Sequence, residues 1–400
     1  GAAGARPEPA GLKYPLAPMP RPGSGPSLFE RHPRTTLLLM LAVLLPLTDL
    51  LFTRLYAAFR PQFYRDRSAF RVSNAIYHHG FKPNVSVDLE YWGPLRAPYR
   101  INSLGFRDRW VREVPPLSAR RRIVFIGDSF TEGIGIPYEQ TFVGLVEEAL
   151  APRGIEVLNA GAASYTPIID YRRVKHLVEE VGLRFDELIV FIDIGDIQDE
   201  TTYALDTQGN VSFKQNRWLK EDRANWYRGK PPGLARFPLY QWLRKNTLVM
   251  STGYEYLLLW SSRGPRRAAA WTLDDQTYRE YGLEGLARAR RHMDLLADFV
   301  AARGIRLTVA VYPWPDQILA GDRDSRQARF WSAWAEARGA RFIDCFPSFF
   351  ENPPEETVRR EFIKGDIHWN QAGHRRVAEV VLAHLERRSG VEAEATGVPQ

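Results

Sequence analysis

Three side chains suited to acyl transfer stand far apart in this sequence. Ser129 follows the run Arg122-Ile-Val-Phe-Ile126 and the pair Gly127-Asp128, while Asp366 and His368 share the stretch Gly365-Asp-Ile-His-Trp-Asn370. A serine hydroxyl is a weak nucleophile until a base takes its proton, and the base needs a further group to hold its ring. A carboxylate and an imidazole in one loop meet that last need. Each piece has a plainer explanation. Gly, Asp and Ser all favour turns, and an isolated Asp-x-His is ordinary surface polarity. Finding both in one chain is what argues for chemistry.

The surrounding elements must bring these groups together. Ile123-Val-Phe-Ile126 is short and β-branched enough for a buried strand. Gly127-Asp128-Ser129 breaks it, and a helical pattern follows from Gln140 through Phe142, Leu145, Val146, Ala149 and Leu150. The histidine loop likewise runs into a helix marked by Val377, Val380, Val381 and Leu385. From Arg121 strands are expected at 122–126, 155–158, 187–193, 305–312 and 340–343. Helices are expected near 139–152, 168–182, 280–303, 324–338 and 371–387. Such alternation predicts a parallel sheet covered by helices on both faces. Ligands then gather at the carboxyl ends of the strands, where Ser129, Gly161 and the loop 193–199 fall.

The motifs resemble a known superfamily. Gly127-Asp128-Ser129 with Thr131-Glu132-Gly133 resembles the first block of the SGNH (GDSL-type) hydrolases, and Asn159-Ala-Gly161 after Ile155-Glu-Val-Leu158 resembles the second. Asp366-Ile-His368-Trp-Asn370 resembles the last block, in a form closer to the alginate O-acetyltransferase-like branch. The resemblance covers about Arg121 to Arg387. It implies an α/β fold of three layers, α/β/α, with a flavodoxin-like parallel sheet. It also implies Ser129 as nucleophile, His368 as base, Asp366 as orienting acid, and an oxyanion hole from the Ser129 and Gly161 backbone N–H groups, with no metal or organic cofactor. Asp128, Asn159, Asp196, Gln198, Trp314 and Trp369 are candidate substrate-binding positions.

The third block departs from the pattern. It normally reads Gly-x-Asn-Asp, the asparagine donating to the oxyanion. Here strand Leu188-Ile-Val-Phe-Ile192 runs into Asp193-Ile-Gly-Asp-Ile-Gln-Asp199, and aligning Asp196 with the acid puts Gly195 where the asparagine belongs. Losing such a donor costs about a hundred- to thousandfold in rate. A backbone amide or Gln198 would have to substitute.

The rest of the chain surrounds this domain. Residues 1–34, rich in Pro, Gly and Ala, and the tail 389–400 are expected to be disordered. The apolar stretch 35–59 approaches the ~20 residues that cross a bilayer, although Pro46 and Asp49 interrupt it. A signal anchor is the reading taken over a cleaved signal or a buried helix. Arg31, Arg34, Arg54 and Arg60 flank both ends and leave its orientation open. Residues 60–120 read as irregular structure with short strands laid against the main domain. The His78-His79 pair there lacks partners at ligand spacing, so a structural role is expected. The segment 201–273 interrupts the alternation with Trp218, Trp226, Trp242, Trp260 and Trp271, which either pack on the core or offer flat faces to sugar rings.

Composition bounds the function. The 400 residues are 44% hydrophobic and 25% charged, with a net charge of +7 and a pI near 9.4. Arginine carries most of the positive charge, yet no basic helix, RNA-binding signature or zinc spacing points to nucleic acid. No phosphate loop supports nucleotide chemistry. The single cysteine, Cys345, lies in the apolar run Phe342-Ile-Asp-Cys-Phe346 and is expected to be buried and structural. The expected protein is a membrane-anchored, extracytoplasmic esterase or O-acetyltransferase of an exported polysaccharide, working beside polysaccharide-assembly proteins. The alternative is a non-catalytic glycan-binding or assembly component that keeps the fold.

Overall fold

The apolar runs become strands of one eight-stranded sheet. This computed structural model describes residue 1 and residues 28–59, 70–92, 95–213, 238–239, 242, 246–247, 249 and 266–396. The strands, in chain order, are β1 (Arg71–Asn74), β2 (His78–Phe81), β3 (Val85–Trp92), β4 (Leu95–Ile101), β5 (Arg107–Asp108) and β6 (Arg122–Ile126). They continue as β7 (Glu156–Asn159), β8 (Glu187–Ile192), β9 (Tyr203–Leu205), β10 (Val211–Phe213), β11 (Arg306–Val311) and β12 (Arg341–Asp344).

The main sheet runs β12-β11-β8-β6-β7-β5-β4-β3. Its parallel part, β7-β6-β8-β11-β12, is the flavodoxin-like doubly wound order. Strands β6 and β8 are buried along their whole length, as continuous apolar runs in a two-sided sheet must be. Helix Pro167–Glu179 packs on Leu283–Ala301, and Phe142–Leu150 on Gln371–Thr396. The chain order reverses between β6 and β8, so the crevice at their carboxyl ends is the place where this architecture binds ligands.

Three stretches differ from expectation, the first being the end of the N-terminal tail 1–34, where Leu28–Arg31 is a helix and the next helix starts at Pro33. Residues 85–108 are not laid against the domain but extend its sheet, with β3, β4 and β5 antiparallel and β5 joined to β7 through Arg107 and Asn159. Short turns let a hairpin add antiparallel strands to an open edge without any crossover helix. The final helix runs from Gln371 to Thr396, into the region expected as a disordered tail.

The helix Pro33–Phe59 contains the apolar run, with Pro46 inside it. Its segment Pro33–Leu55 is long and apolar enough to cross a membrane. Among the described side chains of this helix Asp49 is the buried one, and its carboxylate accepts the Val249 N–H at 3.0 Å. Within 201–273, Trp271 is fully buried and donates to the Ile194 carbonyl at 3.0 Å, whereas Trp242 is exposed. Trp218, Trp226 and Trp260 lie outside the described residues. Cys345 is buried in the core.

Candidate active site

The nucleophile turn is built by close approach. Gly127 ends β6 at φ +153°, and a Cβ there would lie 2.7 Å from the Phe191 carbonyl oxygen. Helix Ser129–Glu132 begins at once, capped by the Asp128 carboxylate accepting the Phe130 N–H at 3.0 Å. As the first helical residue, Ser129 has an N–H with no intrahelical acceptor.

The distant groups meet. His368 Nε2 lies 2.8 Å from Ser129 Oγ, and His368 Nδ1 lies 2.6 Å from Asp366 Oδ1. Asp366 Oδ1 also accepts the N–H groups of Ile367 at 2.6 Å and His368 at 3.2 Å. The Phe130 ring packs against the imidazole at 4.8 Å between centroids. Burial alone would push the Asp366 carboxyl up, but its bonds to His368 and to the Trp92 indole bring it down to about 2. It therefore stays ionised across the physiological range.

Behind the serine lie three buried carboxylates. Asp128, Asp193 and Asp196 have oxygens within 4.8 Å of one another. One Tyr312 hydroxyl sits 3.0 Å from Asp128 and 3.1 Å from Asp193, and the Trp314 indole donates to Asp193 at 2.6 Å. Burial first, then the neighbouring Asp193 charge, raises the Asp128 carboxyl; Asp196 is raised by burial and by Asp128. A single phenol proton cannot serve two carboxylates, so the group keeps protons of its own. With protein donors on these oxygens, the cluster reads as a proton-sharing brace rather than a metal cage.

The other expected positions are supports. Gly161 N–H donates to Asn159 Oδ1 at 3.0 Å, and Asn159 Nδ2 donates to the Thr131 carbonyl at 2.8 Å. Asn159 is therefore buried and ties the second block to the first, instead of facing substrate. Gly161 also has a steric reason to be glycine, because a Cβ would lie 2.7 Å from Thr131 Cγ2. Trp369, fully buried, stacks among Phe130, Tyr312 and Phe349. Trp314 and Asp196 are buried as well. Among the described residues Gln198 makes no hydrogen bond to Ser129 or His368, and its Oε1 has no partner there.

The third-block departure has a packing cause. A Cβ on Gly195 would come 2.8 Å from Asp193 Oδ1 and 3.2 Å from Trp314 Cζ2. The Gly195 N–H is bonded to that same Asp193 oxygen. Trp314 and Asp193 fill the volume a side chain at 195 would need.

Two supports went unnoticed in the sequence. Glu132, buried, accepts from Arg71, from Tyr99 at 2.9 Å and from Ala163 N–H at 2.8 Å. Trp92 Nε1 donates to Asp366 Oδ2 at 2.6 Å. Neither reaches its partner along the chain, so no spacing betrays it. His79 Nε2 meets the Ala163 carbonyl at 2.7 Å, and burial brings the ring down to about 4. That pairing gives His78-His79 the structural role expected of it.

Comparison with known proteins fits this geometry. Residues 271–398 match the family model described as the SGNH hydrolase-like domain of the acetyltransferase AlgX. Among solved structures, the lipase/acylhydrolase from Enterococcus faecalis is 16% identical, with a TM-score of 0.34 over 67% of this chain and 96% of that one. The esterase EstA from a Pseudoalteromonas species is 11% identical, with a TM-score of 0.36 over 68% and 99%. Axe2, an acetylxylan esterase from Geobacillus stearothermophilus, is 14% identical, with a TM-score of 0.37 over 67% and 95%. No curated protein matches the sequence. Sheet order and family match together define an SGNH hydrolase-like α/β domain. The matched segment 271–398, which is similar to the AlgX acetyltransferase domain, holds Asp366 and His368 and begins after Ser129.

Proposed function

We propose that this protein is an SGNH-type serine acyl-ester enzyme acting on carbohydrate O-acyl groups, held at a membrane by its N-terminal helix. The observation that carries the reading is the continuous Ser129–His368–Asp366 relay. Ser129 Oγ attacks the acyl carbonyl while His368 Nε2 takes its proton. The oxyanion is held by the Ser129 N–H and by Gly161 N–H, the latter exchanging its bond to Asn159 for the stronger charged acceptor. His368 returns the proton to the departing alcohol, leaving an ester on Ser129. A second alcohol or water, deprotonated by His368, then attacks the acyl carbonyl; its bond to Ser129 Oγ breaks, and His368 returns the proton to that oxygen.

The acceptor decides between transfer and hydrolysis. The match to an acetyltransferase domain favours a sugar hydroxyl, and the apolar helix favours an extracytoplasmic site beside polysaccharide-assembly proteins. Ser129→Ala should abolish turnover of p-nitrophenyl acetate and labelling by a fluorophosphonate, with the circular dichroism spectrum unchanged. Retained turnover would reject the assignment. Acetyl transfer to an oligosaccharide that outpaces hydrolysis identifies the transferase; full hydrolysis without acceptor identifies the esterase. A folded protein that never labels at Ser129 is instead the non-catalytic component, the reading that Gly195 favours.

A further inference from the structure

The acid of the relay is held from both sides. Its Oδ1 carries the imidazole and two backbone N–H groups, while the Oδ2 donor among the described residues is the Trp92 indole. The same indole stands edge-on to the His368 ring, with centroids 5.2 Å apart and planes at 85°. Trp92 closes β3, pairs with Leu95 across the hairpin, and lies 274 residues from Asp366 in sequence. The hairpin seats on the loop after the nucleophile helix, because a Cβ on Gly135 would lie 3.2 Å from Leu95 Cδ1 and 3.4 Å from Trp92 Cβ.

We infer that Trp92 is a positioning residue for the relay, contributed by the N-terminal hairpin and outside every block motif; this rests on the proposed role of Ser129, His368 and Asp366. A carboxylate can turn about its Cβ–Cγ bond. With donors on both oxygens its plane is fixed, and Oδ1 keeps facing Nδ1 while the imidazole gains and loses its proton. The indole N–H also shares the carboxylate's charge without adding a proton to it. A neutral donor suits that task, since a cation in its place would compete with the imidazolium for the acid.

The test uses the full chain in detergent, with p-nitrophenyl acetate as substrate. Trp92→Phe keeps a ring and removes the donor. It should lower kcat about tenfold, what a hydrogen bond to a charged group is worth, with KM within twofold. The Asp366 carboxylate, having lost a donor, presses its charge more strongly on the imidazolium, so the acid limb of kcat/KM should move upward. The low-field proton resonance between His368 and Asp366 should move too. Leu95→Ala, which loosens the same hairpin and leaves the indole N–H, should move neither the limb nor the resonance. If Trp92→Phe does not fold, benzothienylalanine at position 92 keeps the two-ring shape without the N–H and takes its place. Activity within twofold and an unmoved acid limb would overturn the inference. So would equal losses in both variants with an unmoved resonance, which is packing alone. Turnover that survives Ser129→Ala would instead overturn the relay itself.

Discussion

In the proposed mechanism His368 is one link in a chain of contacts: its Nε2 meets the Ser129 hydroxyl, its Nδ1 meets Asp366 Oδ1, and the Trp92 indole donates to the other oxygen of that acid. Because the Asp366 carboxyl is brought down to about 2, its contribution to stability is complete above its ordinary range near pH 4 and is lost as pH falls through about 2. Acid unfolding of Asp366→Asn followed by fluorescence should therefore lack that low-pH component. Gly195 shows how a motif can mislead in one letter. The asparagine that position normally carries would run into Asp193 and Trp314 here, so Gly195→Asn should gain no rate and should destabilise by about 1–3 kcal/mol, read from Tm. A faster enzyme with an unchanged Tm would show that the site still has room for the donor. Ser129, His368 and Asp366 were legible in sequence because each sits in a short local pattern. The buried state of Asn159, Asp196 and Trp369 was not, since a motif states residue type and leaves side-chain direction to the packing.

The parallel half of the sheet was written in the sequence as β-branched runs alternating with amphipathic helices, and it appears where those runs lie. The N-terminal strands were not, because β3 is the edge strand and β4 beside it keeps one face half open. Their role is larger than cover. Arg71 joins Glu132 of the nucleophile helix, the Arg107 guanidinium binds the carbonyls that follow it, and Trp92 reaches the acid of the relay. Removing Arg71 leaves Glu132, whose side chain is fully buried, without its counter-charge, so Arg71→Met should destabilise the domain by about 3 kcal/mol in urea unfolding. Glu132→Gln, which keeps a carbonyl oxygen for the Ala163 N–H and turns an NH2 donor towards the Tyr99 hydroxyl, should cost less in the same measurement. Equal costs would mean that the ion pair adds nothing to the neutral hydrogen bonds.

Across the whole molecule, the apolar helix is joined to the remainder at its one acid. Asp49 lies six residues before Leu55, roughly 9 Å along a helix axis, and it holds Val249 at that level. If the helix spans a bilayer, Val249 must approach the lipid with it, and the exposed Leu239 and Trp242 precede it by ten and seven residues in sequence. A fluorophore on Leu239→Cys should then be quenched by spin-labelled lipid in reconstituted vesicles; the native thiol, Cys345, is buried. Quenching no greater than for a water-soluble control would place that stretch away from the bilayer. The bond between Ser129 and His368 spans 239 residues of chain. At about 5–20 residues per second of synthesis, the hydroxyl leaves the ribosome roughly 10–50 seconds before its base exists. On the proposed mechanism the nascent polypeptide is thus chemically silent toward esters while it is being made, and it is armed only when its last helix has closed over the sheet.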